Sequence, residues 1–131
     1  MKTPKNQAFS LVEVLAAIAI IGVITFMAIP NIIQIKQDSE DDLARSRAES
    51  LNLAIASFVQ NRGWSSATNE WQNASTADAR YGLIQPYLAF SETNLTAFMP
   101  SGYSVTFPAA TDLLKSKVLL YGPSSTNNMQ Y

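Results

Sequence analysis

Glu13 stands out in this chain for the chemistry its position allows. It lies in the stretch AFSLVEV, Ala8 to Val14, at the mouth of a long apolar run, and no other residue between Lys5 and Lys36 is charged. A carboxylate in such surroundings either meets a positive partner or gives up its charge, because an unpaired buried ion costs several kcal/mol. The other acidic candidate is DSEDD, Asp38 to Asp42, five consecutive oxygen-bearing side chains of the type that ligate calcium. Consecutive positions on a helix point in different directions and cannot converge on one ion without a loop, so this run reads as a solvated face. Histidine and cysteine are absent, which removes disulfides, thiolate chemistry, imidazole catalysis and the commonest transition-metal ligands. Ser, Asp and Lys occur at no spacing that groups a nucleophile with its base. The chain is not expected to be an enzyme, and no cofactor or metal is implied.

Charge argues against a second class. Nine basic against ten acidic residues give a formal net charge of -1, and no Lys/Arg cluster exists that could track a phosphate backbone, so no nucleic-acid partner is implied. Lack of cysteine does not place the chain in a reducing compartment, since an oxidising one permits disulfides without requiring them.

The element that positions Glu13 is a helix-length apolar segment. From Val14 to Ile29 nothing is charged, and the 25 residues from Phe9 to Ile33 are broken only by Ser10, Glu13, Thr25 and Asn31. At about 1.5 Å per residue this reaches about 37 Å, enough to cross a hydrocarbon core of about 30 Å with some tilt. The 13 Leu, Ile, Val and Phe residues from Leu11 to Ile33 favour insertion by roughly 6 kcal/mol in sum, against about 3 kcal/mol for a central acid. Lys2 and Lys5 precede the span and Asp38 to Asp42 follow it, which puts the N-terminus in the cytoplasm. An ordinary secretory signal would show a small-residue A-x-A site beyond its apolar core, and none follows this run. A plain single-pass anchor explains length and orientation but leaves Glu13 as an unrewarded cost.

A basic polar leader (MKTPKNQA), then Phe9, Ser10, Leu11, Val12 and Glu13, then an apolar helix, resembles the class III signal of type IV pilins and type II secretion pseudopilins. The resemblance covers about the first quarter of the chain. It implies cleavage between Ala8 and Phe9 by a prepilin peptidase, methylation of the new amine at Phe9, and Glu13 in the family's acidic position. The family usually has glycine before the cut; with Ala8 there, slower processing is expected. The new amine supplies the positive partner that Glu13 lacks. In the family the acid is thought to pair with the amine of a neighbouring subunit, setting the stagger of helices in a filament. The amine could equally reach Glu13 in its own chain, since positions i and i+4 share a helix face. Gly22 and Pro30 fall where family members have helix-bending residues, and proline deletes a hydrogen bond to the Phe26 carbonyl, so a kink near the membrane exit is expected. The alternative is that the helix ends at Ile29.

Beyond the span, Ala44, Ala48, Leu51, Ile55 and Phe58 form a stripe at four- and three-residue steps on a helical stretch from about Asn31 to Arg62, stopped by Gly63. Asp41 and Arg45 make a favourable i, i+4 pair. WSSATNEWQNAS reads as a loop anchored by Trp64 and Trp71. Ser75 with Asp78 resembles a capping box opening a short helix that bends or ends near Pro86, and SETNLTAF adds another turn. Tyr103, Val105 and Phe107 alternate with polar residues as a strand, KVLLY is its antiparallel partner, and GPSSTNNMQY is expected to fray.

The expected fold is α+β and pilin-like: one long N-terminal helix, membrane-spanning in its first half, packed on a small domain with a short helix and a small antiparallel sheet. Its parts are a leader (1–8), a transmembrane and filament-core helix (9–33), an amphipathic continuation (34–62) and an extracytoplasmic domain (63–131). The function implied is that of a structural subunit, stored in the bacterial inner membrane with its domain in the periplasm. It is cleaved, N-methylated and polymerised with identical or related subunits into a type II secretion pseudopilus. The short chain and the lack of a C-terminal disulfide loop favour that branch. A type IV pilin for adhesion, motility or DNA uptake is the alternative, and a monomeric membrane-anchored binding domain is a second. Loss of Lys2 and Lys5 with the leader leaves a side-chain net charge of -3.

Overall fold

In the computed structural model, which describes residues 9–123 and 127–131, one helix dominates. Helix α1 runs Leu11–Arg62, followed by α2 (Trp64–Asn73), α3 (Ala77–Ile84), a 3-10 turn (Gln85–Tyr87) and the single-turn α4 (Leu95–Phe98). Then come β1 (Ser104–Thr106), a second 3-10 turn (Ala110–Asp112), β2 (Leu119–Tyr121) and β3 (Asn128–Met129). This is the expected α+β architecture. The chain divides after Asp38 into two compact units.

The first unit is the apolar part of α1. It is helical through Gly22 and Pro30 and does not end at Ile29. Proline has no N–H, so the Phe26 carbonyl loses its i+4 donor. The one hydroxyl in the middle of the run is satisfied locally, Thr25 Oγ1 donating to the Ile21 carbonyl at 2.8 Å. None of the large apolar side chains from Leu11 to Ile35 is buried within the chain. The segment is long and apolar enough to cross a membrane.

The second unit, from Ser39 onward, has a conventional core. The second half of α1 buries Ala44, Ala48, Leu51, Ala54, Ile55, Phe58 and Val59, the expected stripe with two additions. Trp71 packs against Phe58 at 6.1 Å between ring centroids and edge-on to Phe107 at 5.6 Å, and its Nε1 donates to the Pro108 carbonyl at 3.0 Å. Tyr81, Ile84, Phe98, Val118 and Leu120 complete the interior. The sheet order is β1-β2-β3, antiparallel throughout, with Val105 opposite Leu120 and Leu120 opposite Met129. Gly63 has φ 79, a conformation that costs most residues a steric clash; the chain turns there between α1 and α2. Gly102, at φ 85, also sits where an added Cβ would lie 2.9 Å from Pro123 Cβ, so only glycine fits.

Four local expectations are corrected. The stretch after Gly63 is a helix rather than a loop: Ala67 and Trp71, one turn apart, are both buried, and tertiary burial outweighs the low helix preference of its Ser, Thr and Asn. Only Trp71 anchors it, since Trp64 is 46% exposed. The cap of α3 is Thr76, whose hydroxyl accepts from Ala79 N–H at 3.1 Å, while Asp78 Oδ1 accepts from Leu95 N–H at 3.1 Å. Arg45 pairs with Asp42 at 3.4 Å instead of Asp41. The last residues do not fray where they are described: β3 adds a third strand, and Tyr131 packs against the core. Residues 124–126 of that tail lie outside the described residues.

Asp41 shows why DSEDD is not simply a solvated face. It is half-buried and accepts a hydrogen bond from the Tyr103 hydroxyl, 62 residues away. Asn52 plays a similar linking part. Its Oδ1 accepts from Val118 N–H at 2.8 Å and its Nδ2 donates to Tyr131 Oη at 3.3 Å, while the Tyr131 hydroxyl donates to the Val118 carbonyl. Lys117 reaches both Glu49, at 3.4 Å, and the Tyr131 carbonyl, at 3.2 Å.

Candidate functional site

The first turn of α1 builds the candidate site. Ser10 precedes the helix, and Glu13 is its third residue. The Ser10 N–H donates to Glu13 Oε2 at 3.2 Å. That is one half of a capping box, in which an acid at the third helical position satisfies an amide that the helix itself cannot. The negative charge also sits favourably at the positive end of the helix dipole. Glu13 therefore has a structural use within its own chain. A carboxylate has two oxygens and about four acceptor positions, so the cap does not exhaust it.

Phe9 is 87% exposed and lies just outside the helix, next to the capped amide. The structure thus brings Phe9, Ser10 and Glu13 together in one turn. Ala8, on the other side of the expected cut, lies outside the described residues. Gly22 stands in mid-helix with nothing within 4 Å of the position its Cβ would take. Pro30 lies two turns further on, in the same unbroken helix.

What this arrangement can do follows from its coat. The apolar side chains around Gly22, among them Ile18, Ile21, Val23 and Phe26, each expose more than half of their surface. An exposed apolar surface on this scale marks a membrane or protein contact. Lipid tails are as apolar as leucine, so replacing lipid with another helix yields no hydrophobic gain. Choice of partner and register within such a coat must come from packing shape and from polar groups. Among the described residues from Phe9 to Ile35 the one charged side chain is Glu13.

The second unit offers no competing chemistry among the described residues. No group of three or more His, Cys, Asp or Glu is placed to hold a metal, and no buried side-chain nitrogen or oxygen lacks a partner. Burial, with the hydrogen bond to Asp41 adding to it, pushes the Tyr103 hydroxyl up to about 12. Burial raises Tyr81 and Tyr131 as well. These are fastened, protonated phenols rather than poised bases. Sequence reasoning missed the Asp41–Tyr103 and Asn52–Val118 links, which carry no local signal. The cap did have one, the Ser-x-x-Glu spacing of Ser10 and Glu13.

Residues 3–29 match the family described as the prokaryotic N-terminal methylation motif. Over 80 residues, 60% of its length, the chain is 34% identical to the type IV major pilin protein PilA of Myxococcus xanthus (strain DK1622). That match spans 36% of the relative's own length. No solved structure matches the chain. The chain therefore carries an N-terminal methylation motif and, over part of its length, is similar to a type IV pilin.

Proposed function

We propose that this chain is a filament subunit, cut between Ala8 and Phe9 by a prepilin peptidase, methylated on the Phe9 amine and polymerised through the apolar half of α1. The observation that carries this is the methylation-motif match over residues 3–29, which contains Ala8, Phe9 and Glu13. Before assembly the apolar coat is covered by the inner membrane, with the N-terminus in the cytoplasm and residues 39–131 outside. Cleavage removes Lys2 and Lys5 and creates a cationic amine at Phe9, beside the amide that Glu13 caps. Glu13 pairs with that amine, in its own chain or in a neighbour; where the amine is a neighbour's, a subunit out of register leaves both charges unpaired in apolar surroundings. Gly22 and Pro30 are the places where the helix can bend during extraction.

Between the two branches of the family, similarity to a major pilin supports a type IV pilus subunit. Absence of cysteine, and hence of a disulfide loop, supports the secretion pseudopilus as the second reading. Intact mass of the membrane-isolated protein, from cells with and without a prepilin peptidase, tests the class. Loss of Met1 to Ala8 with gain of one methyl, only when the peptidase is present, is the expected result. An uncleaved chain in both samples refutes it. Surface filaments at native expression, with protein secretion intact after deletion, separate the first branch from the second.

A further inference from the structure

We propose that Asn94 is an acceptor for N-linked glycosylation, receiving a saccharide on Nδ2 from a lipid diphosphate-linked oligosaccharide. The inference rests on the extracytoplasmic placement of residues 39–131 proposed above, where such donors are used. Its basis is the segment Glu92-Thr93-Asn94-Leu95-Thr96, an Asn-x-Thr acceptor without proline at its middle position. Glu92, Asn94 and Thr96 recur at a period of two. In an extended chain all three side chains point to one side, so a single groove would meet a carboxylate, the reacting amide and a hydroxyl together.

The structure makes this segment presentable. Asn94 is exposed, as are Thr93 and Thr96, and its backbone is extended, with φ -148 and ψ 166. Both flanks are fastened to α3. The Tyr81 hydroxyl donates to the Glu92 carbonyl at 3.1 Å and accepts from its N–H at 3.0 Å, and Asp78 accepts from Leu95 N–H. Asn94 itself caps α4 through Oδ1, which accepts from Ala97 N–H at 2.7 Å. Transfer uses the other end of the amide, so the cap survives it. Helix α4 has four residues, too few to stand without tertiary support, so the segment is open to a transferase until the domain closes over Leu95. The second acceptor-like triplet, Asn73-Ala74-Ser75, differs in both respects: Asn73 ends α2, and the residue two before it is the fully buried Trp71.

The step balances with the donor named. The Asn94 amide nitrogen attacks the anomeric carbon, forming the Nδ2–C1 bond. The C1–O bond to the lipid diphosphate breaks, its electron pair leaves with the diphosphate, and the Nδ2 proton passes to a base of the transferase.

The full chain should be expressed with a prepilin peptidase, a bacterial oligosaccharyltransferase and its lipid-linked oligosaccharide, then read by intact mass and peptide mass spectrometry. The expected result is a glycan-sized increase located on the peptide bearing Asn94. Asn94→Asp, which keeps the capping oxygen but lacks Nδ2, abolishes it; Thr96→Val abolishes it and Thr96→Ser restores it. Glu92→Gln lowers occupancy several-fold, and Asn73→Gln leaves it unchanged. An unmodified Asn94 peptide, from a sample whose leader is removed and whose domain is cut by protease added outside the inner membrane, overturns the proposal and spares the membrane reading. A retained leader with a protected domain refutes that reading and this proposal together.

Discussion

Replacing Glu13 with glutamine separates the cap seen in the structure from the charge pairing proposed above. Glutamine at the third helical position still reaches back to the Ser10 N–H, so Glu13→Gln keeps the cap and loses the charge. Glu13→Ala loses both. The cap contributes about 1 kcal/mol, spread over a 52-residue helix that does not depend on it. In the proposed filament the charge is worth more: leaving one member of a buried ion pair alone costs about 3–5 kcal/mol, or at least about two orders of magnitude in the association constant at 1.4 kcal/mol per tenfold. Insertion shifts the other way, since removing an acid from an apolar helix relieves up to about 3 kcal/mol, less near an end. Both variants should therefore be processed and membrane-inserted like the parent, and both should yield few filaments when cells are sheared and the pellet quantified. Wild-type yield from Glu13→Gln with a deficit confined to Glu13→Ala would refute the charge argument and leave the cap as the whole role of this residue.

Two further outcomes test the second unit. Trp71, with no exposed surface, should cost about 3–5 kcal/mol when replaced by alanine, whereas Trp64→Ala, half-exposed, should cost about 1 kcal/mol or less; equal shifts in denaturant midpoint, followed by circular dichroism of the detergent-solubilised chain, would contradict the packing. Tyr103 gives a pH signature: below its ordinary value of 10 both folded and unfolded chains hold the proton, but from 10 to about 12 the unfolded chain releases it while the folded one keeps it, so stability falls across that window. Tyr103→Phe should flatten the decline without abolishing it, because Tyr81 and Tyr131 are raised in the same direction.

Legibility in the sequence followed the range of the interactions. The apolar run and the stripe from Ala44 to Phe58 could be read because a helix writes its burial at a fixed period. β1 was legible by its alternation and β2 as the short apolar run KVLLY. β3 was not: it is two residues long and exists only through its pairing with β2. α2 was hidden by its polar composition, and only the burial of Ala67 and Trp71 makes it a helix. Within the candidate site, the charge of Glu13 was conspicuous and its cap was spelled by the spacing from Ser10. Asp41 looked like one acid among four in DSEDD; what distinguishes it is a tyrosine that folding brings from 62 positions away.

The links made by Asn52 also impose an order on how the domain is completed. They join positions 66 and 79 residues apart, Val118 and Tyr131, to the middle of a helix that forms by local contacts. Contacts of such separation bear a loop-closure cost before they return any stabilisation, and slow the final step. On that argument the stripe from Ala44 to Phe58 should stay incompletely covered until Val118 and Tyr131 have docked on Asn52. An uncovered stripe leaves the domain open to proteolysis and to sticking to its neighbours, and the length of that exposure is set by the last strand to dock.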